Sequence, residues 1–297
     1  MDISELLDGL NDKQREAVAA PLGNYLVLAG AGSGKTRVLT HRIAWLIAVE
    51  NISEGSIMAV TFSKKTAAEK RHRIQDTLSK HAQSNLFGMW IGTFHSIAHR
   101  LLRAHHLDVN LPQDFQILDS EDQLRLVKRL MKLHNYDDKA FPPKQACWYI
   151  NNKKDEGLRP QDINDFGDRQ EKEWIKIYQI YQDTCDRAGL VDFAELLIRA
   201  YELFAKKPVI LQRYQQRFQH ILVDEFQDTN KIQYAWIKIL AGNTGKVMIV
   251  GDDDQSIYGW RGAQVENIQK FLKDFNAETI RLEQNYRSTG NILKSAN

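Results

Sequence analysis

Residues 28–36, LAGAGSGKT, have the composition of a loop that binds phosphate. They follow an apolar run, YLVLAG, and precede a helical pattern, KTRVLTHRIAWLIAV, which is the context that such a loop requires. Backbone N–H groups of the loop can turn towards phosphate oxygens, and the N-terminus of the helix favours the same anion. Lys35 would place a charge at the β- and γ-phosphates, and the Thr36 hydroxyl would bind Mg²⁺. The loop residues expected to hold the nucleotide are Gly30, Ala31, Gly32, Ser33 and Gly34.

A second stretch, HILVDEFQ at residues 220–227, carries two carboxylates at the end of an apolar run. Binding a nucleotide needs only the loop, whereas hydrolysis also needs a base for the attacking water. Asp224 is suited to hold Mg²⁺ through its water shell, and Glu225 is suited to orient and deprotonate the water. We expect these carboxylates on a strand that neighbours the strand of the loop. The two stretches together predict a site that hydrolyses a nucleotide.

The elements that must position these residues follow an alternating pattern. Short β-rich runs at 25–30, 56–62, 89–94, 220–226, 246–252 and 278–284 alternate with helical patterns. Continuous apolar runs are typical of strands covered by helices on both faces, so the fold class is α/β with a parallel sheet.

Between about residues 95 and 218 the strand patterns nearly vanish, which predicts an inserted, mostly helical segment. Ser120 with Gln123 predicts a capping box for one of its helices. Another helix, EKEWIKIYQIYQDTCDRAG, has an apolar stripe that we expect to be buried. The stripe consists of Trp174, Ile177, Tyr178, Tyr181 and Cys185.

Composition limits the class of protein. A chain of 297 residues that is 43% hydrophobic can bury a core, and its net charge of +2 does not by itself indicate nucleic acid. Residues 62–106, however, contain eight Lys or Arg and two acidic residues, which fits either a solvated helix face or a surface for phosphates. No apolar run is long enough for a membrane span and no secretory signal is present, so we expect a cytoplasmic protein. The two cysteines, Cys147 and Cys185, predict neither a disulfide nor a zinc site.

The motifs, in their order and spacing, resemble the UvrD/Rep/PcrA group of superfamily 1A DNA helicases. They are LNDKQREAV (10–18), AGAGSGKTR (29–37), AVTFSKKTAAEK (59–70), GTFHS (92–96), LVDFAELL (190–197), VDEFQDTN (223–230), VGDDDQSIYGWRGA (250–263) and LEQNYRS (282–288). The resemblance implies a RecA-like P-loop NTPase domain (1A) with an inserted, mostly helical subdomain (1B). Domain 1A would comprise residues 1–92 and 218–283, subdomain 1B residues 93–217, and residues 284–297 would begin a second RecA-like domain.

For the nucleotide site, the resemblance implies ATP with Mg²⁺ and adds residues to Lys35 and Glu225. Gln14 would read the adenine edge, and Arg37 and Tyr286 would flank the base. Gln255 would sense the γ-phosphate, and Arg287 would contact it from the start of the second motor domain.

For DNA, the resemblance implies aromatic residues that stack on bases or form pockets for them, together with residues that contact the strand. The aromatic residues are Phe62, Phe94, Phe193, Tyr258 and Trp260, and the others are Lys65, Thr93, His95 and Arg261. The chain departs from the usual family sequence of this motif, TFTNKAAAEM, at four positions. Ser63, Lys64, Thr66 and Lys70 stand in place of Thr, Asn, Ala and Met.

The implied activity is an ATP-driven motor that moves 3′ to 5′ on single-stranded DNA and separates the duplex ahead of it. Its roles would lie in DNA repair and replication, with single-strand/duplex junctions and mismatch- and excision-repair proteins as partners, and a monomer and a dimer are both compatible. Family members carry a complete second RecA-like domain, so residues 1–297 alone are expected to bind nucleotide weakly and not to unwind DNA. Two alternatives stay open: another P-loop NTPase such as a kinase or GTPase, and an ATP-binding DNA-binding module without motor activity.

Overall fold

The chain forms alternating strands and helices. The computed structural model describes residues 4–30, 32–79, 86, 88–252 and 263–282. The strands are β1 (Tyr25–Ala29), β2 (Ile57–Thr61), β3 (Trp90–Thr93), β4 (Gln116–Leu118), β5 (Leu190–Asp192), β6 (His220–Val223), β7 (Lys246–Asp252) and β8 (Glu278–Leu282). The helices are α1 (Ser4–Leu7), α2 (Asp12–Val18), α3 (Lys35–Ala48), α4 (Lys64–Ser79), α5 (Phe94–Ala104), α6 (Ser120–Leu133), α7 (Pro143–Asp155), α8 (Arg169–Ala188), α9 (Phe193–Lys206), α10 (Pro208–Arg217), α11 (Lys231–Ala241) and α12 (Ala263–Asp274).

Six strands form one parallel sheet in the order β3-β2-β6-β7-β1-β8. Every residue of β1, β2 and β6 is buried, as expected for strands with both faces covered. The prediction of an α/β fold with six parallel strands is confirmed. The expected adjacency is wrong, because β7 lies between β1 and β6, so the Asp224–Glu225 carboxylates follow a strand two places from the loop strand.

The chain divides into two compact units. The sheet unit contains the described residues of 1–97, 211–229 and 240–297, and the helical unit contains residues 98–210 and 230–239. In the sheet unit, α3 and α4 pack against each other and contribute to a core with β1 and β2. That core fixes the ends of the two strands from which the phosphate loop and the segment after Thr61 emerge.

The helical unit has a core built from α6, α7 and α8. All five residues of the predicted stripe on α8 are buried. The prediction of a segment nearly without strands missed a short parallel pair, β4 with β5, in which Gln116 lies opposite Leu190. The expected capping box is wrong by one residue, because Asp119 is the N-cap of α6 and accepts a hydrogen bond from the Asp122 N–H at 2.8 Å.

Among the residues that the structure describes, no helix has the length and hydrophobicity that crossing a membrane requires.

Candidate functional site

The phosphate loop turns sharply between β1 and α3. The backbone N–H and the hydroxyl of Ser33 both donate to the Gly30 carbonyl, at 3.2 and 2.7 Å. Gly32 and Gly34 have φ angles of 77° and 83°, in the left-handed region that glycine adopts without strain. Lys35 and Thr36 then begin α3, with their backbone at the positive end of the helix. The loop therefore lies between a strand and a helix, as predicted, while its binding of phosphate stays a prediction and Ala31 lies outside the described residues.

Gln14 fastens this loop to helix α2. It is 1% exposed, and its Nε2 donates to the Ser33 carbonyl at 3.0 Å. Its Oε1 accepts from the Asn11 N–H at 3.0 Å, while the Asn11 side chain accepts from the Gln14 N–H at 2.8 Å, which completes a capping box. A Cβ atom on Gly34 would lie 2.5 Å from Gln14 Nε2, so a larger residue at position 34 would displace the Gln14 amide and would also be strained at φ 83°. The structure thus gives Gln14 a positioning contact with the loop, and its expected contact with adenine stays a prediction.

The two carboxylates after β6 have different environments. Asp224 is buried, and its backbone N–H donates to the Val60 carbonyl at 3.1 Å. Glu225 is partly exposed and has φ 50° and ψ 43°, a left-handed conformation that is uncommon for a residue with a side chain. Lys35 Nζ lies 3.4 Å from Glu225 Oε1, so the loop lysine and the expected base meet despite the intervening strand. Strained backbone of this kind is concentrated at functional sites, where the surrounding structure holds it.

Gln227 holds Glu225 in place, and the sequence analysis missed it. Gln227 Nε2 donates to Glu225 Oε2, and Gln227 Oε1 accepts from the Asp252 N–H at 3.1 Å. Gln227 therefore connects the segment after β6 to the end of β7. Gln227 lies inside the motif VDEFQDTN, which could have indicated a role at the site. Sequence spacing alone, however, does not show that its side chain reaches the end of another strand. Burial and the nearby Glu225 carboxylate raise the pKa of Asp228 in the same turn.

The loop and the carboxylates line one cavity of about 560 Å³ at the carboxyl ends of the strands. Its walls are Gly32–Arg37 from the loop, Phe62, Ser63, Thr66, Glu69, Lys70 and Arg73 from the β2–α4 segment, and Asp224 and Glu225. Lys70, one of the four residues that differ from the usual family motif, points inward and forms an ion pair with Asp224 Oδ2. Lys70 was not among the residues predicted for this site.

The donor chemistry at the cavity fits Mg²⁺. Mg²⁺ prefers oxygen ligands and usually binds through one or two carboxylates, substrate phosphates and water. The Thr36 hydroxyl and the Asp224 carboxylate supply donors of this kind, and both residues line the cavity. Asp224 Oδ1 also accepts from the Glu225 N–H at 2.8 Å, which fixes the orientation of the carboxylate.

Some of the expected DNA contacts lie at the ends of the neighbouring strands β2 and β3. Phe62 is 37% exposed and makes an edge-to-face contact with Phe94, with ring centroids 5.9 Å apart. Phe94 is buried, at 1% exposure, and so supports Phe62 from beneath. Thr93 caps α5, since its hydroxyl accepts from the Ser96 N–H at 3.1 Å. Burial lowers the pKa of His95, which favours the neutral imidazole.

The remaining expected site residues are distributed more widely. Lys65 and Arg37 are exposed, on α4 and α3 of the sheet unit. Phe193 is 47% exposed and begins α9 in the helical unit. Six expected site residues lie outside the described part of the chain in addition to Ala31: Gln255, Tyr258, Trp260, Arg261, Tyr286 and Arg287.

Comparison with known proteins gives a consistent result. The profile of the UvrD/REP helicase N-terminal domain matches residues 10–276. The chain is 90% identical over all 297 residues to DNA helicase II of Haemophilus influenzae and covers 41% of that protein. It is 72% identical, over its full length, to DNA helicase II of Escherichia coli and 44% identical to the ATP-dependent DNA helicase PcrA of Leuconostoc citreum. The chain thus spans about two fifths of the length of the curated relatives that it matches.

Proposed function

Because the chain belongs to the UvrD/REP helicase family, we propose that its sheet unit is the ATP-hydrolysing part of a DNA motor. The observation that carries this proposal is the meeting of Lys35 and Glu225, 3.4 Å apart, in a cavity that Asp224 also lines. The whole motor would move 3′ to 5′ along single-stranded DNA and separate the duplex ahead of it. Single-strand/duplex junctions, repair proteins and a cytoplasmic location belong to the same proposal.

The geometry supports a separate role in hydrolysis for each group at the site. The loop backbone and Lys35 bind the phosphates and stabilise the negative charge that develops on them. Glu225 accepts a proton from water, the water oxygen bonds to the γ-phosphorus, and the bond from that phosphorus to the ADP oxygen breaks. Gln227 restricts Glu225 Oε2, so the other carboxylate oxygen is directed towards Lys35 and the loop. Mg²⁺, held by Thr36 and Asp224, would neutralise phosphate charge.

The nucleotide pocket would be completed by residues that the resemblance assigns. Gln14 and Arg37 would contact the adenine base together with Tyr286. Gln255 and Arg287 would contact the γ-phosphate. In this proposal the loop also positions Gln14, whose amide donates a hydrogen bond to the Ser33 carbonyl.

DNA would be bound at the ends of β2 and β3 and by the helical unit. Phe62 has the exposure that base stacking needs, and Lys65 lies on the helix that follows it. Phe94, which is buried, would support Phe62, and the other contacts would come from Thr93, His95, Phe193, Tyr258, Trp260 and Arg261. Domain 1A would then comprise residues 1–92 and 218–283, with 93–217 as subdomain 1B and 284–297 as the start of a second RecA-like domain.

Unwinding would depend on that second RecA-like domain. Motors of this type couple hydrolysis to the opening and closing of two domains around the nucleotide, and an arginine from across the cleft contributes to the rate. We therefore expect residues 1–297 alone to bind ATP weakly, to show little DNA-stimulated turnover and not to unwind a duplex. A version extended through the second RecA-like domain should show all three activities.

Steady-state hydrolysis of ATP and GTP, with and without oligo-dT, tests the proposal. In the extended version, Glu225→Gln should preserve ATP binding and lower turnover by at least about a hundredfold, because it removes the base. Glu278→Gln is the matched control, since Glu278 is exposed on β8 and lies outside the cavity. Turnover unchanged in Glu225→Gln would remove this residue from the mechanism. A preference for GTP, or no response to oligo-dT, would contradict the motor function.

A further inference from the structure

Helix α4 carries a lysine on its buried face. The buried positions of α4 are Ala67, Lys70, Ile74 and Leu78, so an ammonium group occupies a place in an otherwise apolar stripe. Lys70 is 2% exposed, and its Nζ forms an ion pair with Asp224 Oδ2. A buried ammonium is unfavourable without a counter-charge, so the Asp224 carboxylate is what makes lysine tolerable here.

Asp224 is held on both of its oxygens. Oδ2 faces Lys70, and Oδ1 accepts the Glu225 N–H at 2.8 Å. The Asp224 backbone is also fixed, through its hydrogen bond to the Val60 carbonyl. The carboxylate therefore cannot turn away from Lys70 without losing other contacts, and its negative charge is already neutralised by a cation of the chain itself.

This pair is at the nucleotide site. Lys70 and Asp224 both line the cavity that the phosphate loop borders, and Asp224 is the carboxylate suited to a metal there. A divalent cation that approaches Asp224 meets the Lys70 ammonium at the same carboxylate. Two cations at one carboxylate repel each other, and Oδ1 already accepts the Glu225 N–H, so a metal can take the place at Oδ2 only when the ammonium withdraws.

We propose that Lys70 is a competing resident cation for Asp224, which raises the metal concentration that the nucleotide site requires. The inference rests on the proposed function for the identity of the site. A metal can bind Asp224 only after the Lys70 ammonium moves away, so the ion pair between Lys70 and Asp224 is replaced by one between the metal and Asp224. Lys70 acts through Asp224 and is therefore a positioning residue.

Binding of Mn²⁺ alone, measured by the electron paramagnetic resonance of the free ion, tests this directly. Mn²⁺ takes the same oxygen ligands as Mg²⁺. Lys70→Met keeps an unbranched side chain of similar length in the stripe and removes the charge. We expect its half-saturation at about tenfold lower Mn²⁺ than in the wild-type chain, because the competing charge is gone. Lys64→Met is the matched control, since Lys64 is exposed at the start of the same helix.

Lys70→Gln is a second variant in case the methionine leaves Asp224 poorly solvated and the chain unfolded. Its amide can still donate to Asp224 but carries no charge, so it should also lower the Mn²⁺ requirement. Equal Mn²⁺ curves for the wild type and the folded Lys70 variant would overturn the inference, because a purely structural ion pair does not affect metal binding.

The two proposals fail separately. Metal binding is measured without ATP, so it does not depend on whether Glu225 supports hydrolysis. Unshifted Mn²⁺ curves with a large Glu225→Gln effect on turnover would remove only the role of Lys70. Shifted curves with no effect of Glu225→Gln would remove only the proposed hydrolysis mechanism.

Discussion

In the part of the chain that the structure describes, two lysine–aspartate pairs are buried, one in each unit, and they differ in how their charges are surrounded. In the helical unit, Lys154 is fully buried and lies 2.8 Å from Asp192 and 3.6 Å from Glu195. Asp192 also accepts a hydrogen bond from the Tyr181 hydroxyl at 2.6 Å and caps α9 through the Glu195 N–H at 2.7 Å. In the sheet unit, Lys70 meets Asp224 at the wall of a cavity.

The helical pair belongs to a larger network of buried ion pairs. Arg159 forms ion pairs with Glu195 and Glu202, and Arg199 adds a third cation near Glu195. Burial alone would raise the pKa of Glu195, but Lys154, Arg159 and Arg199 together lower it to about 2. Arg159, Arg199 and Glu202 border a cavity of about 840 Å³, but Lys154 and Asp192 do not line it, so a ligand there would not meet the lysine pair itself. A pair that faces a cavity can instead exchange one partner for a ligand, so the surroundings of a buried pair indicate whether it is structural or functional.

The largest expected effect tests this difference in stability. Lys154→Met leaves two buried carboxylates short of a cation, and we expect the free energy of unfolding to fall by about 3 to 5 kcal/mol. Lys70→Met should cost less, about 1 to 3 kcal/mol, because water in the cavity can solvate Asp224. Urea unfolding in the presence of EDTA measures both. A larger loss for Lys70→Met would show that the cavity pair is the more structural of the two.

A buried histidine in the sheet unit has cations nearby, whereas Lys154 has carboxylates as its partners. His220, at the start of β6, is 6% exposed. Burial and the nearby cations Arg42 and Lys246 lower its pKa to about 4 from the usual 6.5. The unfolded chain therefore takes up a proton between pH 6.5 and 4 that the folded chain refuses. Stability from the neutral histidine is complete above pH 6.5 and is lost as pH falls towards 4, by roughly 2 to 3 kcal/mol.

The difference between variants isolates this contribution. His220→Gln should flatten the decline in unfolding free energy between pH 6.5 and 4, whatever its effect on stability at pH 7. Asp155 of the helical unit affects the pH dependence of stability in the opposite direction. Burial and the nearby Asp192 raise its pKa to about 6, so its contribution to stability is lost as pH rises. Asp155→Asn should therefore steepen the same decline. Parallel pH curves for His220→Gln and the wild type would contradict the assignment.

Much of the sheet unit could be predicted from the sequence, since long apolar runs and a glycine-rich loop carry strong local signals. The order of the strands could not, because periodicity does not reveal that β7 separates β1 from β6. The strands β4 and β5 were missed because three residues show no periodicity. Their motifs predicted that Lys35 and Glu225 share a site, and the two side chains lie 3.4 Å apart, while their catalytic roles stay predictions. Lys70 was not predicted, because its partner Asp224 lies 154 residues away along the chain.

The smallest expected effect comes from removing a helix cap, and a cap of similar chemistry can be compared in each unit. Asn11 caps α2 in the sheet unit through the Gln14 N–H, and Asp119 caps α6 in the helical unit through the Asp122 N–H, each at 2.8 Å. Replacing either residue by Ala should lower the free energy of unfolding by about 1 kcal/mol.

Only the first cap is connected to the phosphate loop, because Gln14 Nε2 donates to the Ser33 carbonyl. A looser start of α2 frees the Gln14 amide, and the loop then has to be ordered when nucleotide binds. Asn11→Ala should therefore weaken the binding of a fluorescent ATP analogue about threefold, while Asp119→Ala, the matched control, should leave it unchanged. If both variants bind the analogue like the wild type, the hydrogen bond from Gln14 to the loop contributes to folding alone, as the cap of α6 does.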